Sequence, residues 1–322
     1  MVVNYSDKLK IFTVINSNGT FVKEKRPYTV IGLRIIASSA NEIQTGYDSI
    51  GGVAGFSVLD AVKVEELSRR TAERSVRMLH ADRAPAGRMT VVTSSEAGGT
   101  FIHESIGHSL EADLVQKGIS DIYAGKLGMK VASEIITVVD DATVAGRMGS
   151  FVYDDEGYPA KKNVLVHRGV LKNYMYDYLS AKKDNAASTG NGRRQSYRHI
   201  PIPRMTNTMI MPGNKKPQEI IEAVENGIYV KKMGGGQVDT ANGNFVFNVE
   251  ESYRIVKGKI GSMVRGAILI GNGPVILKSI DMVGDDLGFG MGVCGKDGQG
   301  VPVGDAQPTL RIPEITVGGT QL

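Results

Sequence analysis

The segment with the most chemical potential is Thr100-Phe-Ile-His103-Glu104-Ser-Ile-Gly-His108-Ser-Leu-Glu111. Two imidazoles and a carboxylate on one helix are what a catalytic zinc site requires. Neutral imidazole nitrogens bind the cation, and a non-ligating glutamate accepts a proton from the attacking water. In the common arrangement the histidines are four residues apart, which turns the second side chain by only about 40° around the axis. Here they are five apart, and a regular helix would separate them by roughly 140°. A π-bulge inserts the one residue needed to restore a common face, and Gly107, directly before His108, eases such a distortion. A metal site on these two residues would therefore need a distorted helix, and the spacing by itself does not favour one. The other reading of the same residues is a pair of hydrogen-bonded core histidines.

A catalytic zinc takes three protein ligands and keeps one position open. Cys294 is the one cysteine of the chain and sits in Met291-Gly-Val-Cys-Gly-Lys-Asp-Gly-Gln-Gly300, a glycine-rich stretch that reads as a tight loop. A thiolate is a strong zinc ligand. A small buried apolar side chain and a nucleophile paired with a histidine are the other two readings, and spacing does not separate the three. Glu111, three residues beyond His108, either orients an imidazole from behind or belongs to a solvated helix face.

Several elements must hold these groups. Thr100 reads as an N-cap, Ile106, Leu110 and Leu114 as a buried stripe, and Gly118 as the C-cap. Residues 89–94 form a short β-branched strand ahead of the helix. Residues 134–140, 164–172 (turning at Arg168-Gly169), 207–211, 244–250 and 253–264 (turning at Lys257-Gly258) read as further strands. Residues 217–226 read as a short helix with Pro217 at its start, Ile220, Ile221 and Val224 inward and Gly227 ending it. Nearer the N-terminus, 10–16 and 30–37 alternate as strands, with a turn at Ser17-Asn18-Gly19. Residues 64–80 form a helix whose inner face carries Ala72, Val76 and Leu79. The stretch 81–87, with Pro85 and Gly87, is the linker candidate. Helices are too few for a βαβ alternation, so the expected class is α+β, mostly antiparallel curved sheets with a few helices.

Composition narrows the classes. At 322 residues the chain is long enough for roughly two domains with a substantial core. Its 40 glycines show no Gly-X-Y period, which excludes collagen and fits a strand-rich protein with many turns. A formal charge of +4 is only mildly basic and argues against a nucleic-acid partner. No apolar run is long enough to span a membrane, and the first ten residues lack the order of a signal peptide. A single cysteine rules out an intramolecular disulfide and fits a reducing cytoplasm.

His103-Glu-Ser-Ile-Gly-His108 followed by Ser-Leu-Glu-Ala-Asp113 resembles the signature helix of the TldD branch of the TldD/PmbA family of zinc metalloproteases. Further blocks resemble the same family in the expected order. They are Thr189-Gly-Asn-Gly-Arg-Arg-Gln-Ser-Tyr197, Pro203-Arg-Met-Thr-Asn-Thr208, Gly234-Gly-Gly-Gln-Val-Asp239, Gly290-Met-Gly-Val-Cys-Gly-Lys-Asp-Gly-Gln299 and Val301-Pro-Val-Gly-Asp-Ala-Gln-Pro-Thr-Leu310. The resemblance implies that His103, His108 and Cys294 are the ligands of a Zn2+ and Glu104 the catalytic glutamate. It implies hydrolysis of unfolded or modified peptides, and a homodimer or a heterodimer with a PmbA-like paralogue that lacks the histidine motif. It also implies a division into 1–88, similar to the family's middle domain, and a metalloprotease-like domain over 89–322. The N-terminal α/β domain with which the family usually begins has no counterpart here, so the chain reads as either a short form or a fragment. That gives a non-catalytic peptide-binding or assembly subunit as the alternative function.

Weaker signals are a backbone-approach site for a peptide at Gly234, Gly235 and Gly236, for which a mobile turn is the competing account. The basic stretch Asn191-Gly-Arg-Arg-Gln-Ser-Tyr-Arg-His199 reads as a solvated loop, the other readings being a holder for a peptide carboxylate or for nucleic-acid phosphate. Tyr153-Asp-Asp-Glu-Gly157 reads as a turn, and His80 and His167 are assigned to no metal.

Overall fold

The computed structural model describes residues 1–60 and 64–319. Three long antiparallel strands open it: β1 (Val2–Ile15), β2 (Phe21–Ser38) and β3 (Ile43–Val53), paired in that order. They extend well beyond the segments expected at 10–16 and 30–37. The turn between β1 and β2 falls at Ser17-Asn18-Gly19, with Gly19 at φ +83°.

Helix α1 (Val64–Leu79) lies on this sheet, but not on the predicted face. Its buried residues are Leu67, Thr71, Arg74 and Ser75, whereas Val76 is 52% exposed. Polar side chains took the inner face because the sheet offers them partners. The Thr71 hydroxyl donates to Asp48 at 2.5 Å, and Arg74 donates to Asp48 at 2.9 Å and to the Tyr47 carbonyl at 2.7 Å. A Cβ on Gly46 would lie 2.3 Å from Ser75 Oγ, so the close approach of helix to strand depends on a bare backbone there.

The expected linker is partly strand. Asp82–Arg83 pairs in parallel with Lys259–Arg265, and the Ala84 N–H donates to the Arg265 carbonyl at 2.9 Å. Beyond it lies a closed ring of five strands. Asn226–Val238 pairs with Gly87–Thr93, then Leu310–Gly318, Ile268–Asn272 and Asn244–Val256, which returns to Asn226–Val238. A six-stranded sheet stands beside it, in the order Gly288–Lys296, Gln299–Gln307, Asn207–Ile210, Val138–Asp141, Lys162–His167, Val170–Leu171. Most pairings are antiparallel, as expected for the class. The parallel ones among the described residues join Gly87–Thr93 to Asn226–Val238, Asn207–Ile210 to Gln299–Gln307, and Asp82–Arg83 to Lys259–Arg265.

Hairpin turns occur where the sequence placed them, with Arg168 and Gly169 at φ +45° and +78° and Lys257 and Gly258 at +49° and +71°. The helix expected at 217–226 is shorter, Pro217–Glu222; Gly227 does not end it but lies at the start of the strand Asn226–Val238. Ile220, Ile221 and Val224 are buried, as the periodicity required. The three-stranded sheet meets the rest through Arg26, which is buried beside Glu24 and Asp155 at 2.9 and 3.4 Å and lies over the rings of Phe12 and Phe151. Among the described residues, no helix is long and apolar enough to cross a membrane.

Candidate metal centre

The helix carrying the two histidines changes pitch twice. Thr100–Ile102 is α-helical, His103–Gly107 is a π turn, and His108–Leu110 is 3₁₀. The His108 N–H reaches the His103 carbonyl, the i→i+5 bond of a π turn. That added residue puts both imidazoles on one side, with ring centroids 5.1 Å apart and planes at 88°. The opposite side supplies the packing: Phe101, Ile102, Ile106 and Leu110 are buried, and Phe101 meets Phe245 of the closed ring edge-on at 5.8 Å. Gly107 is closely packed: a Cβ there would sit 2.1 Å from Met205 Sδ, so that side chain would have to shift. The helix begins differently from expectation. Gly99, not Thr100, is the N-cap, and its N–H donates to the Asp305 carboxylate at 2.9 Å. The far end follows the sequence: Gly118, at φ +68°, follows the short helix Ala112–Gln116.

Cys294 is not in a loop. It lies in the strand Gly288–Lys296, hairpinned to Gln299–Gln307 through Asp297 and Gly298 at φ +49° and +70°. Of the glycines that suggested a loop, Gly292 and Gly295 are paired in this strand, Gly300 lies in the next, and Gly298 makes the turn between them. This strand brings Cys294 Sγ to 3.3 Å from His108 Nε2. One nitrogen from each imidazole and the sulfur all lie within 4.8 Å of one another.

The donor set fits zinc. Zn–S and Zn–N bonds of about 2.3 and 2.05 Å at a tetrahedral angle place sulfur and nitrogen about 3.5 Å apart, close to the 3.3 Å found. His103 Nδ1 is buried with no hydrogen-bond partner, a costly state for an uncoordinated polar atom.

Behind His108 stands a buried charge network. Glu111 leaves the helix in an extended conformation (φ −73°, ψ +117°), so its side chain turns back and its Oε2 lies 3.1 Å from His108 Nδ1. Lys296 Nζ lies 3.2 Å from the same carboxylate and 2.5 Å from Asp113, and Arg204 Nε lies 3.8 Å from its other oxygen. Arg204 also donates to the Cys294 carbonyl at 2.6 Å. Burial works against the Glu111 carboxylate, but Lys296, His108 and Arg204 outweigh it and hold the carboxyl down at about 2. Burial likewise opposes a Cys294 thiolate, yet hydrogen bonds from both imidazoles and their charge bring the thiol down to about 5. Glu104 is shifted the other way: burial raises its carboxyl despite the neighbouring imidazoles.

Glu104, both histidines, Cys294 and Lys296 border one cavity of about 480 Å³, together with Gln237, Val238 and Thr240. A second hollow of about 570 Å³ is lined by Asp48, Arg74, Lys232, Gly234, Gly235 and Asp305, among others. The glycine run is therefore strand, not a mobile turn. Gly234, Gly235 and Gly236 lie in Asn226–Val238, where the register to its neighbour shifts between Met233 and Gly236. Gly235 faces open space, but a Cβ on Gly236 would lie 1.8 Å from the Phe247 ring, so Gly236 is explained by packing. Lys296, Arg204 and Asp305 fall inside the family-like blocks, but nothing local marks them as parts of the site, because their partners lie far away along the chain.

Comparison with known proteins agrees across the chain. Residues 86–319 match the family described as PmbA/TldA metallopeptidase C-terminal domain, and residues 1–79 match the PmbA/TldA metallopeptidase central domain. A metalloprotease of Methanothermobacter thermautotrophicus is 44% identical over 318 residues, covering 99% of this chain and 69% of that protein. The metalloprotease TldD homolog of Haemophilus influenzae is 42% identical over 314 residues, covering 95% of this chain and 65% of that protein. The crystal structure of TldE from Thermococcus kodakarensis shares the fold, with a TM-score of 0.77 at 21% identity over 98% of this chain and 68% of that one. The chain thus spans about two thirds of the length of the relatives it matches.

Proposed function

Since the chain belongs to the PmbA/TldA metallopeptidase family, we propose that it is a zinc-dependent peptidase acting on unfolded or modified peptides. The observation that carries this reading is the meeting of His103, His108 and Cys294, with ligand atoms within 4.8 Å of one another around a cavity that Glu104 also lines. In this reading the three residues hold Zn2+ and Glu104 is the general base. A bound zinc supplies a Lewis acid for the scissile carbonyl and lowers the pKa of water to about 7.

The chain's own residues do the rest. Glu104, raised by burial, takes the proton of the attacking water and returns it to the leaving amine. Glu111 holds the His108 ring through Nδ1 and leaves Nε2 facing the sulfur. Open space at Gly235 and the shifted register beside it let an extended peptide backbone approach the strand. The working form in this proposal is a dimer, with itself or with a PmbA-like paralogue. The proposed location is the cytoplasm, with which a single unpaired cysteine is compatible. The division into 1–88 and 89–322 is part of the same proposal, the second segment holding the ligands.

Substitution Glu104→Gln tests the assignment. Zinc content is expected to stay at wild-type level while hydrolysis of an unfolded peptide falls by about 10²–10⁴-fold. Undiminished hydrolysis refutes Glu104 as the base. A wild-type chain that binds peptide with neither zinc nor turnover points instead to the non-catalytic binding subunit.

A further inference from the structure

Asp305 is a buried carboxylate with no ion-pair partner among the described residues, 8% exposed on the strand Gln299–Gln307. Unpaired buried carboxylates are costly, and burial pushes the Asp305 carboxyl up, though His103 and two backbone N–H groups oppose that. The Gly99 N–H donates to the carboxylate at 2.9 Å, and Gly290 faces Asp305 directly across the strand pair.

Each of these glycines leads to a proposed ligand. Gly99 lies four residues before His103, and its carbonyl accepts the His103 N–H at 3.0 Å. Gly290 is the register partner of Asp305 and lies four residues before Cys294 on the same strand. With a period of two, Gly290 and Cys294 lie on one face of that strand. Both contacts need a bare backbone. A Cβ on Gly99 would fall 2.7 Å from Asp305 Cβ and 2.3 Å from the Ala306 nitrogen; on Gly290 it would fall 2.2 Å from Asp305 Oδ1.

We propose that Asp305 is a positioning residue for the metal centre, its carboxylate fastening the first turn of the histidine helix to the cysteine strand so that His103 and Cys294 face one point. The inference rests on the zinc reading above, and goes beyond it by assigning the element that sets the ligand spacing.

The test compares Asp305→Ala with Asp305→Asn in the full chain. Asn keeps Oδ1 as an acceptor and removes the charge; Ala removes both. Amide hydrogen exchange is followed on the zinc-free chain, and zinc affinity is measured by competition with a chromophoric chelator. Asp305→Ala is expected to speed exchange selectively at Gly99, His103 and Gly290 and to weaken zinc binding about tenfold to a hundredfold. Asp305→Asn is expected to restore the protection and most of the affinity. Unchanged exchange at those amides, or faster exchange spread evenly over the chain, overturns the proposal. If the wild type takes up no zinc, the metal reading fails, and the exchange comparison still decides the role of Asp305.

Discussion

Replacing Glu111 by Gln probes the network that holds the proposed ligands. Glu111 is wholly buried and faces Lys296, Arg204 and His108. Against burial, Lys296, His108 and Arg204 together hold its carboxyl low. Lowering that carboxyl from 4.5 to about 2, at about 1.4 kcal/mol per pH unit, favours the folded state by about 3 kcal/mol. Because the folded value is the depressed one, this contribution is complete above pH 4.5 and is lost as pH falls toward 2. Glu111→Gln should therefore lower the unfolding free energy by about 3 kcal/mol at pH 7, with the uncompensated Lys296 adding to the loss. By pH 3 the difference should shrink to less than about half. Urea unfolding of both chains after chelation, followed by circular dichroism at several pH values, keeps metal binding out of the comparison. A difference under about 0.5 kcal/mol at pH 7, or one that persists undiminished in acid, would refute the reasoning.

Gly107→Ala should destabilise by about 1–3 kcal/mol, because the new methyl meets buried Met205, and should weaken zinc binding by disturbing the π turn. A wild-type melting temperature and affinity would mean that Met205 yields without cost. Arg26→Met removes the one ion pair of buried Glu24 in the junction between the sheets while Asp155 keeps Lys10, so a loss of about 3 kcal/mol in urea unfolding is expected, with zinc stoichiometry unchanged. Loss of zinc in that variant would show that the junction and the metal centre are coupled.

Local signals in the sequence located much of this architecture. If His103 and His108 were to share a metal, their five-residue spacing required an inserted residue, and the helix has a π turn there. Hairpin turns at Arg168-Gly169 and Lys257-Gly258 follow from the left-handed conformations those positions accept. What the sequence hid was decided by distant partners. The inner face of α1 is polar because Asp48 bonds to it from β3, so hydrophobic periodicity chose the wrong side. Gly99 caps the helix with a carboxylate from a strand some 200 residues on, which left Thr100 inside the first turn. Cys294 looked like loop because its glycine neighbours are turn formers, whereas here Gly292 and Gly295 are paired strand residues whose Cα atoms face open space, and only Gly298 makes a turn. Spacing left Glu111 open between a partner of His108 and a solvated helix face, and its bond to His108, like Lys296 and Arg204 beside it, emerges only in the tertiary structure.

The most direct test is metal analysis of the purified chain beside its Cys294→Ala variant, at equal protein concentration and after dialysis against trace zinc. Wild-type protein is expected to retain about one zinc per chain and the variant far less, since three ligands define the closed part of a catalytic site. Equal zinc in both, or none in the wild type, would contradict the account.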